Sequence, residues 1–357
     1  MDKDRRKLDI NQVILNLIRD KGKITVNDVV RITGFSRVYI HRFFQVLADE
    51  GKIVRIGRAN QIRYVLADEN SVRAAKKDIQ SFSRILGNKN LHEDQIFELI
   101  HRETGIFQNL PGNVTRILEY AFTEMLNNAI EHSRSLKIKI SMKRDSAGVR
   151  FDVVDWGIGI FENLIHSRHL ASVEEAIQDL LKGKQTTAPE AHTGEGIFFT
   201  RRVADTFIIR SAAKKLFFDN IRNDFTIQPI KHAHGTRITF TIAGNSAREL
   251  WPVFKKYSAE SFEFGVTEVK VRLYQPGGAR DFISRSQARR ILTGLEKFKS
   301  IILDFEGVDA VGQGFADEIF RVWHAKFPAI TITPQNMNEE VSFMMRRSIA
   351  TPGKYKF

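Results

Sequence analysis

Apolar positions along this chain recur with two periods, and the places where one gives way to the other divide it into parts. Helical spacing runs through Ile10 to Asp20 (Val13, Ile14, Leu17, Ile18), Val26 to Thr33, and Ser36 to Glu50, where Ile40, Phe44 and Leu47 face inward and Gly51 ends the helix. Gly34-Phe35 is the turn between the second and third helices. Lys52 to Gly57 and Gln61 to Leu66 then alternate around Arg58-Ala-Asn60, as two strands of a hairpin would. From Ser71 to Leu86 the spacing of Val72, Ala75, Ile79, Phe82, Ile85 and Leu86 predicts a connecting helix. A longer helix is predicted from Val114 to His132, and Arg150 to Asp155 reads as a strand that breaks at Trp156-Gly-Ile-Gly159. Val173 to Leu181 is helical, a helix starts at Ile197, and Arg237 to Ile242 alternates. Beyond residue 250 the pattern becomes strand (266–274), helix (285–298), strand (300–305), helix (314–327) and strand (329–333), which predicts a small α/β unit with partly parallel pairing.

Chemistry gathers in the middle of the chain. Glu124 and Asn128 lie one helical turn apart, so a carboxylate and an amide share one face. Asp155 falls at a strand end, and Gly157 and Gly159 after it let the backbone pass close to a ligand. Thr193-Gly-Glu-Gly196 immediately precedes a helix start, where free amides and the helix dipole favour an anion. Gly235-Thr236 opens the last alternating strand. Any one of these short patterns has a bland explanation, a polar helix face or a turn; it is their combination and order that is distinctive.

In order and spacing these four boxes resemble those of the superfamily that joins DNA gyrase, heat-shock chaperone, histidine-kinase and mismatch-repair ATPases. The resemblance implies that Asn128 holds the Mg²⁺ bridging the ATP phosphates, that Glu124 orients or deprotonates the attacking group, and that Asp155 accepts the adenine amino proton. It further implies nucleotide contacts from His132, Gly157, Gly159, Lys184, Thr193, Gly194, Gly196 and Thr236, and a mobile lid over 161–192 in which Lys182, Lys184 and Arg201 are candidate phosphate contacts or plain surface residues. Two positions depart from sensor histidine kinases: Glu131 stands where a basic residue is usual, and His192 where the third box usually begins with Gly. No pair of long helices carrying a phosphoacceptor His precedes the boxes. Glu124-x-x-x-Asn128-Ala-x-x-His132 is closer to the anti-sigma-factor serine-kinase branch.

The flanking parts suggest what the site controls. The first 68 residues resemble a winged helix-turn-helix. Ser36 caps the third helix, and Arg37, Tyr39, His41 and Arg42 point outward near its start, where such proteins touch bases; Arg58 in the wing reaches phosphate or the minor groove. Winged helices also serve as protein-binding modules. The run Ile302 to Glu318 resembles the STAS-like relatives of anti-sigma-factor antagonists, yet Gly312-Gln313-Gly314 stands where those carry a phosphorylated Ser. That position offers no hydroxyl to phosphorylate.

Composition narrows the rest. The chain has 357 residues, 42% of them hydrophobic, enough for several cores, and its formal net charge of +13 favours polyanionic partners. Absence of Cys excludes disulfides, thiol catalysis and Cys-based zinc sites. No apolar run of membrane-spanning length and no apolar leader is evident, so a cytoplasmic protein without a membrane partner is expected. The expected architecture is α+β multidomain: a winged helix over 1–68, a linker helix over 69–88, a Bergerat-type α/β sandwich ATP-binding domain over 89–248 and a small α/β STAS-like domain over 249–357. Expected partners are ATP, Mg²⁺, DNA, a protein through the STAS-like domain and a second copy through the linker helix. Three activities fit: a DNA-binding regulator switched by nucleotide, a protein serine/threonine kinase acting on a separate partner, and a non-catalytic scaffold.

Overall fold

Three helices and a hairpin open the chain in a computed structural model that describes residues 9–57, 62–183, 195–258, 265–274 and 281–348. Helices α1 (Ile10–Lys21), α2 (Val26–Thr33) and α3 (Arg37–Asp49) precede strands β1 (Ile53–Ile56) and β2 (Arg63–Leu66). Each helix start has a side-chain cap. Asp9 accepts the Gln12 N–H, Thr25 and Asp28 form a reciprocal capping box, and the Ser36 hydroxyl oxygen accepts the Tyr39 N–H at 3.3 Å. Ile14, Val29, Ile40, Phe44 and Leu47 are fully buried between the helices, and Ile24 bridges to Tyr64, tying the helices to the hairpin.

The predicted connecting helix is half right. Helix α4 spans Glu69–Lys76 and stops, and Ser81–Gly87 is an extended strand, β3. Phe82 and Ile85 fit a helical stripe and a strand alternation equally well; in the fold Phe82 is buried and Ile85 is 58% exposed, which only the strand explains. β3 forms the edge of a five-stranded antiparallel sheet with β4 (Lys137–Asp145), β5 (Gly148–Asp155), β6 (Thr206–Asp219) and β7 (Asp224–Ile242), in the order β3-β4-β5-β7-β6. The central sheet therefore begins before residue 89, correcting the expected boundary.

Helices α5 (Glu93–Glu103), α6 (Gly112–His132), α7 (Ile160–Arg168), α8 (Val173–Lys182) and α9 (Gly196–Val203) belong to the same unit. Ile138, Ile140, Phe151, Val153, Phe207 and Phe240 point to one face of the sheet and pack against the apolar stripe of α6. Phe151 stacks on Phe240 at 5.0 Å and meets Phe122 of α6 edge-on at 5.6 Å. This single apolar layer holds the site helix against the strands.

After α10 (Leu250–Tyr257), strands β8 (Val266–Lys270), β10 (Ser300–Asp304) and β12 (Thr331–Gln335) form a parallel sheet in the order β12-β10-β8, and β9 (Asp281–Phe282) pairs with β11 (Ala310–Val311). Helix α11 (Arg285–Leu292) ends earlier than its pattern predicts: Thr293 leaves the helical backbone with ψ 126°, and Gly294 follows with a left-handed φ of 78°. The first strand likewise gives way after Lys270 to a tight turn of 3₁₀ helix over Val271–Tyr274. Helix α12 (Gln313–Asp317) continues through a wider π stretch (Glu318–Trp323) into α13 (His324–Lys326), and α14 (Glu339–Ser348) closes the described chain.

The C-terminal unit docks on α8 and α9. Phe198 and Phe199 of α9 are buried in its core, where Phe198 meets Tyr257 edge-on at 5.1 Å. Lys182 at the end of α8 is buried, its ammonium donating to the carbonyls of Thr293 at 2.6 Å and Arg290 at 3.3 Å. Thr267 donates to the Lys182 carbonyl at 2.5 Å and Tyr274 to that of Gln178 at 3.2 Å. Burial pulls the Lys182 and Lys297 ammonium groups down to about 8, against the nearby carboxylate of Asp179. Their folded values lie below the ordinary 10.5, so between pH 8 and 10 the unfolded chain binds more protons and stability rises with pH. Urea unfolding midpoints should climb across that window, and less so in Lys182→Met; identical pH slopes in the two proteins would refute the assignment.

Candidate nucleotide site

The end of β5, the second half of α6 and the start of α7 enclose a cavity lined by Met125, Asn128, Ala129, His132, Asp155, Gly159, Ile160, Asn163, Leu164 and Thr236, among others. Its polar residues are few and converge; most of the wall is apolar, as a site for a flat heterocyclic base requires. Asp155 is buried, and one of its oxygens accepts the N–H of Gly157 at 2.9 Å and of Thr236 at 3.2 Å. Both bonds fall on Oδ1. Burial pushes the carboxyl above its ordinary range, against these two hydrogen bonds.

Backbone crowding explains the glycines. A Cβ on Gly157 would lie 1.7 Å from the Ser133 carbonyl oxygen, and one on Gly235 would lie 2.3 Å from that of Asp155. Gly235 also has φ 72°, and sits beside the register shift of the β6–β7 hairpin near Ser211. The turn is held further by Ser211, which donates to the Gly235 carbonyl, and by Thr236, whose hydroxyl oxygen accepts the Ile160 N–H at 2.9 Å.

Glu124, Asn128 and Gly196 meet at the other end of the site. A Cβ on Gly196 would lie 2.1 Å from Glu124 Oε2 and 3.6 Å from the Asn128 amide nitrogen, so the start of α9 rests directly on the two α6 side chains. The Tyr120 phenol is pushed up by burial and then by the carboxylates of Glu124 and Glu195, both near it. The structure thus brings Glu124, Asn128, His132, Asp155, Gly157, Gly159, Gly196 and Thr236 around one site. Lys184, Thr193 and Gly194 lie outside the described residues.

Sequence reasoning missed several participants. Asn163 lines the cavity and donates to the His132 carbonyl at 3.4 Å; Ser135 accepts the Trp156 N–H at 3.1 Å; Glu195 stands within the third box itself. A polar residue on the first turn of the helix after Gly159 was the available signal for Asn163. Lys182 and Arg201 do not face the site. Lys182 is committed to the C-terminal unit, and Arg201 donates to the Leu181 carbonyl at 3.2 Å with its guanidinium against the rings of Phe198 and Phe218. Both had looked like surface or phosphate cations because a lone Lys or Arg carries no sign of the domain that covers it.

Family models match three parts of the chain, the first two overlapping over 67–95: a bacterial protein of unknown function over 2–95, a histidine kinase-like ATPase domain over 67–216, and a STAS-like domain of unknown function over 287–342. The middle of this chain is a histidine kinase-like ATPase domain. A STAS-like domain follows it. No curated protein and no solved structure matched the chain. The ATPase match begins at 67, consistent with β3 lying in the ATPase sheet. The cavity at Asp155 is the apolar-walled, glycine-lined pocket of that domain.

On α3 the residues expected to touch DNA are all at the surface: Arg37, Tyr39, His41 and Arg42 are exposed, and Ser36 serves as the helix cap. Phe35, Tyr39 and Phe43 form a ladder of rings at 5.2 and 5.1 Å along the same helix face. Arg58 lies outside the described residues. Among the described residues no helix is long and apolar enough to cross a membrane, and no group of three or more His, Asp or Glu side chains is placed to hold a metal.

Replacing Gly196 by Ala should force Glu124 and α9 apart and weaken ATP binding at least tenfold, on the order of 1.4 kcal/mol or more. Asp155→Asn should weaken adenine nucleotides while leaving the affinity for inorganic triphosphate unchanged. Isothermal titration with both ligands checks this; equal losses for the two would remove the adenine role from Asp155.

Proposed function

We propose that this chain is an ATP-operated regulatory protein in which nucleotide occupancy sets the arrangement of α8 and α9, the STAS-like domain carries that state outward, and the N-terminal helices contact DNA. The observation that carries the reading is the double duty of α9. Its first residue rests on Glu124 and Asn128, and its next turn, Phe198 and Phe199, is buried in the C-terminal core. Any ligand that repositions the start of α9 acts on both domains at once.

Within the site, Asp155 holds the adenine edge and the apolar wall excludes water from the base. Asn128 would supply an amide oxygen to hold Mg²⁺, a hard cation that would offset the phosphate charge. Glu124, one turn earlier and against the start of α9, orients the attacking hydroxyl or water and takes its proton. A kinase acting on a separate protein uses the same residues with a partner's hydroxyl as acceptor.

Incubation with Mg²⁺ and γ-labelled ATP separates these activities. Free labelled phosphate that responds to DNA supports the switch, label on a second protein makes it a kinase, and no nucleotide binding sinks both. Glu124→Ala should retain ATP affinity and lose turnover by roughly 10²-fold or more; turnover at the wild-type rate would remove Glu124 from the chemistry. Combined Arg37→Ala and Arg42→Ala should weaken duplex DNA binding and lower its salt dependence by roughly 2 in log–log slope. Unchanged binding would take the DNA contact off α3.

A further inference from the structure

Among the described residues, helices cover one face of the five-stranded sheet. Across β3, β4, β5 and the paired ends of β6 and β7 (206–211 with 236–241), the register brings Lys137, Lys139, Lys143, Arg150, Arg210 and Arg237 onto the opposite, outward face. On these stretches the outward carboxylates are Asp145 and Asp152. Asp145 pairs with Lys143 at 3.5 Å, and Asp152 is shared by Arg150 and Arg237 at 3.2 and 3.0 Å. Lys137, Lys139 and Arg210 make no ion pair among the described residues.

Neighbouring strands place like charges side by side. Lys143 lies directly opposite Arg150, and Arg237 directly opposite Arg210. Such cross-strand pairs destabilise a sheet, and for these four cations Asp145 and Asp152 offset only part of the repulsion. With strands about 4.8 Å apart and alternate residues about 6.8 Å apart, the cations form a lattice spread over the face rather than a point site. Ser83 and Ser141 face each other between them and add hydroxyl donors of the kind that bind phosphate oxygens.

We propose that this sheet face binds the phosphate backbone of duplex DNA without regard to sequence. The N-terminal unit argues for DNA over other polyanions. Lys23 of that unit pairs with Asp78, three residues before Ser81, and Ser81 lies opposite Lys143, so the helical unit is fastened at the Lys143–Arg150 end of the basic face. A duplex held at α3 has a charged surface to continue onto. The proposal extends the DNA contact argued above, but stands on the sheet's own charges.

The test measures affinity of the full chain for a random-sequence duplex as a function of salt. Replacing Lys137, Lys139 and Lys143 together by Gln should lower the log–log salt slope by roughly 2 to 3, about one per phosphate released. The matching triple Lys→Arg variant should keep the wild-type slope, and ATP binding unchanged in both variants reports an intact fold. A Gln variant with the wild-type slope overturns the proposal, as does a wild-type chain with no duplex affinity at low salt. Loss confined to binding of phosphatidylserine vesicles, with DNA binding retained, would assign the face to a lipid surface and overturn it too. If Arg37→Ala with Arg42→Ala changes nothing while the Gln variant loses slope, the α3 contact fails and the sheet contact stands.

Discussion

The rest of the architecture follows from covering the ATPase sheet on one side only. Alternation along β4, β5 and β7 sends Ile140, Phe151 and Phe240 one way and Lys139, Arg150 and Arg237 the other, so α6 has a single apolar surface on which to lie. Because α6 is pinned there, the space between its polar end and the tip of β5 is fixed, and the Asp155 cavity occupies it. The C-terminal domain has no apolar sheet face left to dock on. It attaches instead to the helical layer, through α8 and α9, which also border the cavity with Leu180 and Ile197.

Much of this was legible in the chain because it depends on local rules. The boxes at Glu124, Asp155, Gly196 and Gly235 are short and ordered; Gly157 and Gly235 answer a backbone approach that any Cβ would block, and Gly196 answers one by the Glu124 side chain. Helix starts at Asp9, Thr25 and Ser36 carry their caps in sequence. What could not be read depends on contacts distant in the chain. Phe82 and Ile85 satisfy two periods at once, and only pairing with β4, more than fifty residues later, decides between them. Lys182 and Arg201 look like surface cations until a domain that begins beyond residue 249 closes over them.

The charge distribution adds a second level to the same constraint. A chain with a formal charge of +13 spreads its repulsion unevenly, and the open sheet face concentrates a share of it where no apolar packing competes. Asp152, linked to Thr239, Arg150 and Arg237, holds that face together at its centre. Burial acts against its charge, yet those hydrogen bonds keep its carboxyl below the usual range.

Phe198 and Phe199 have an implication for modularity. Three family matches in a row suggest beads on a string, each movable to another context, but α9 is covalently part of one bead and sterically part of the next. Cutting the chain ahead of α10 would leave two aromatic side chains, each burying about 150–250 Å² in a packed core, facing water. The ATPase and STAS-like units are in that sense one folding unit with two sheets, and shuffling one without the other would carry a hydrophobic wound into its new host.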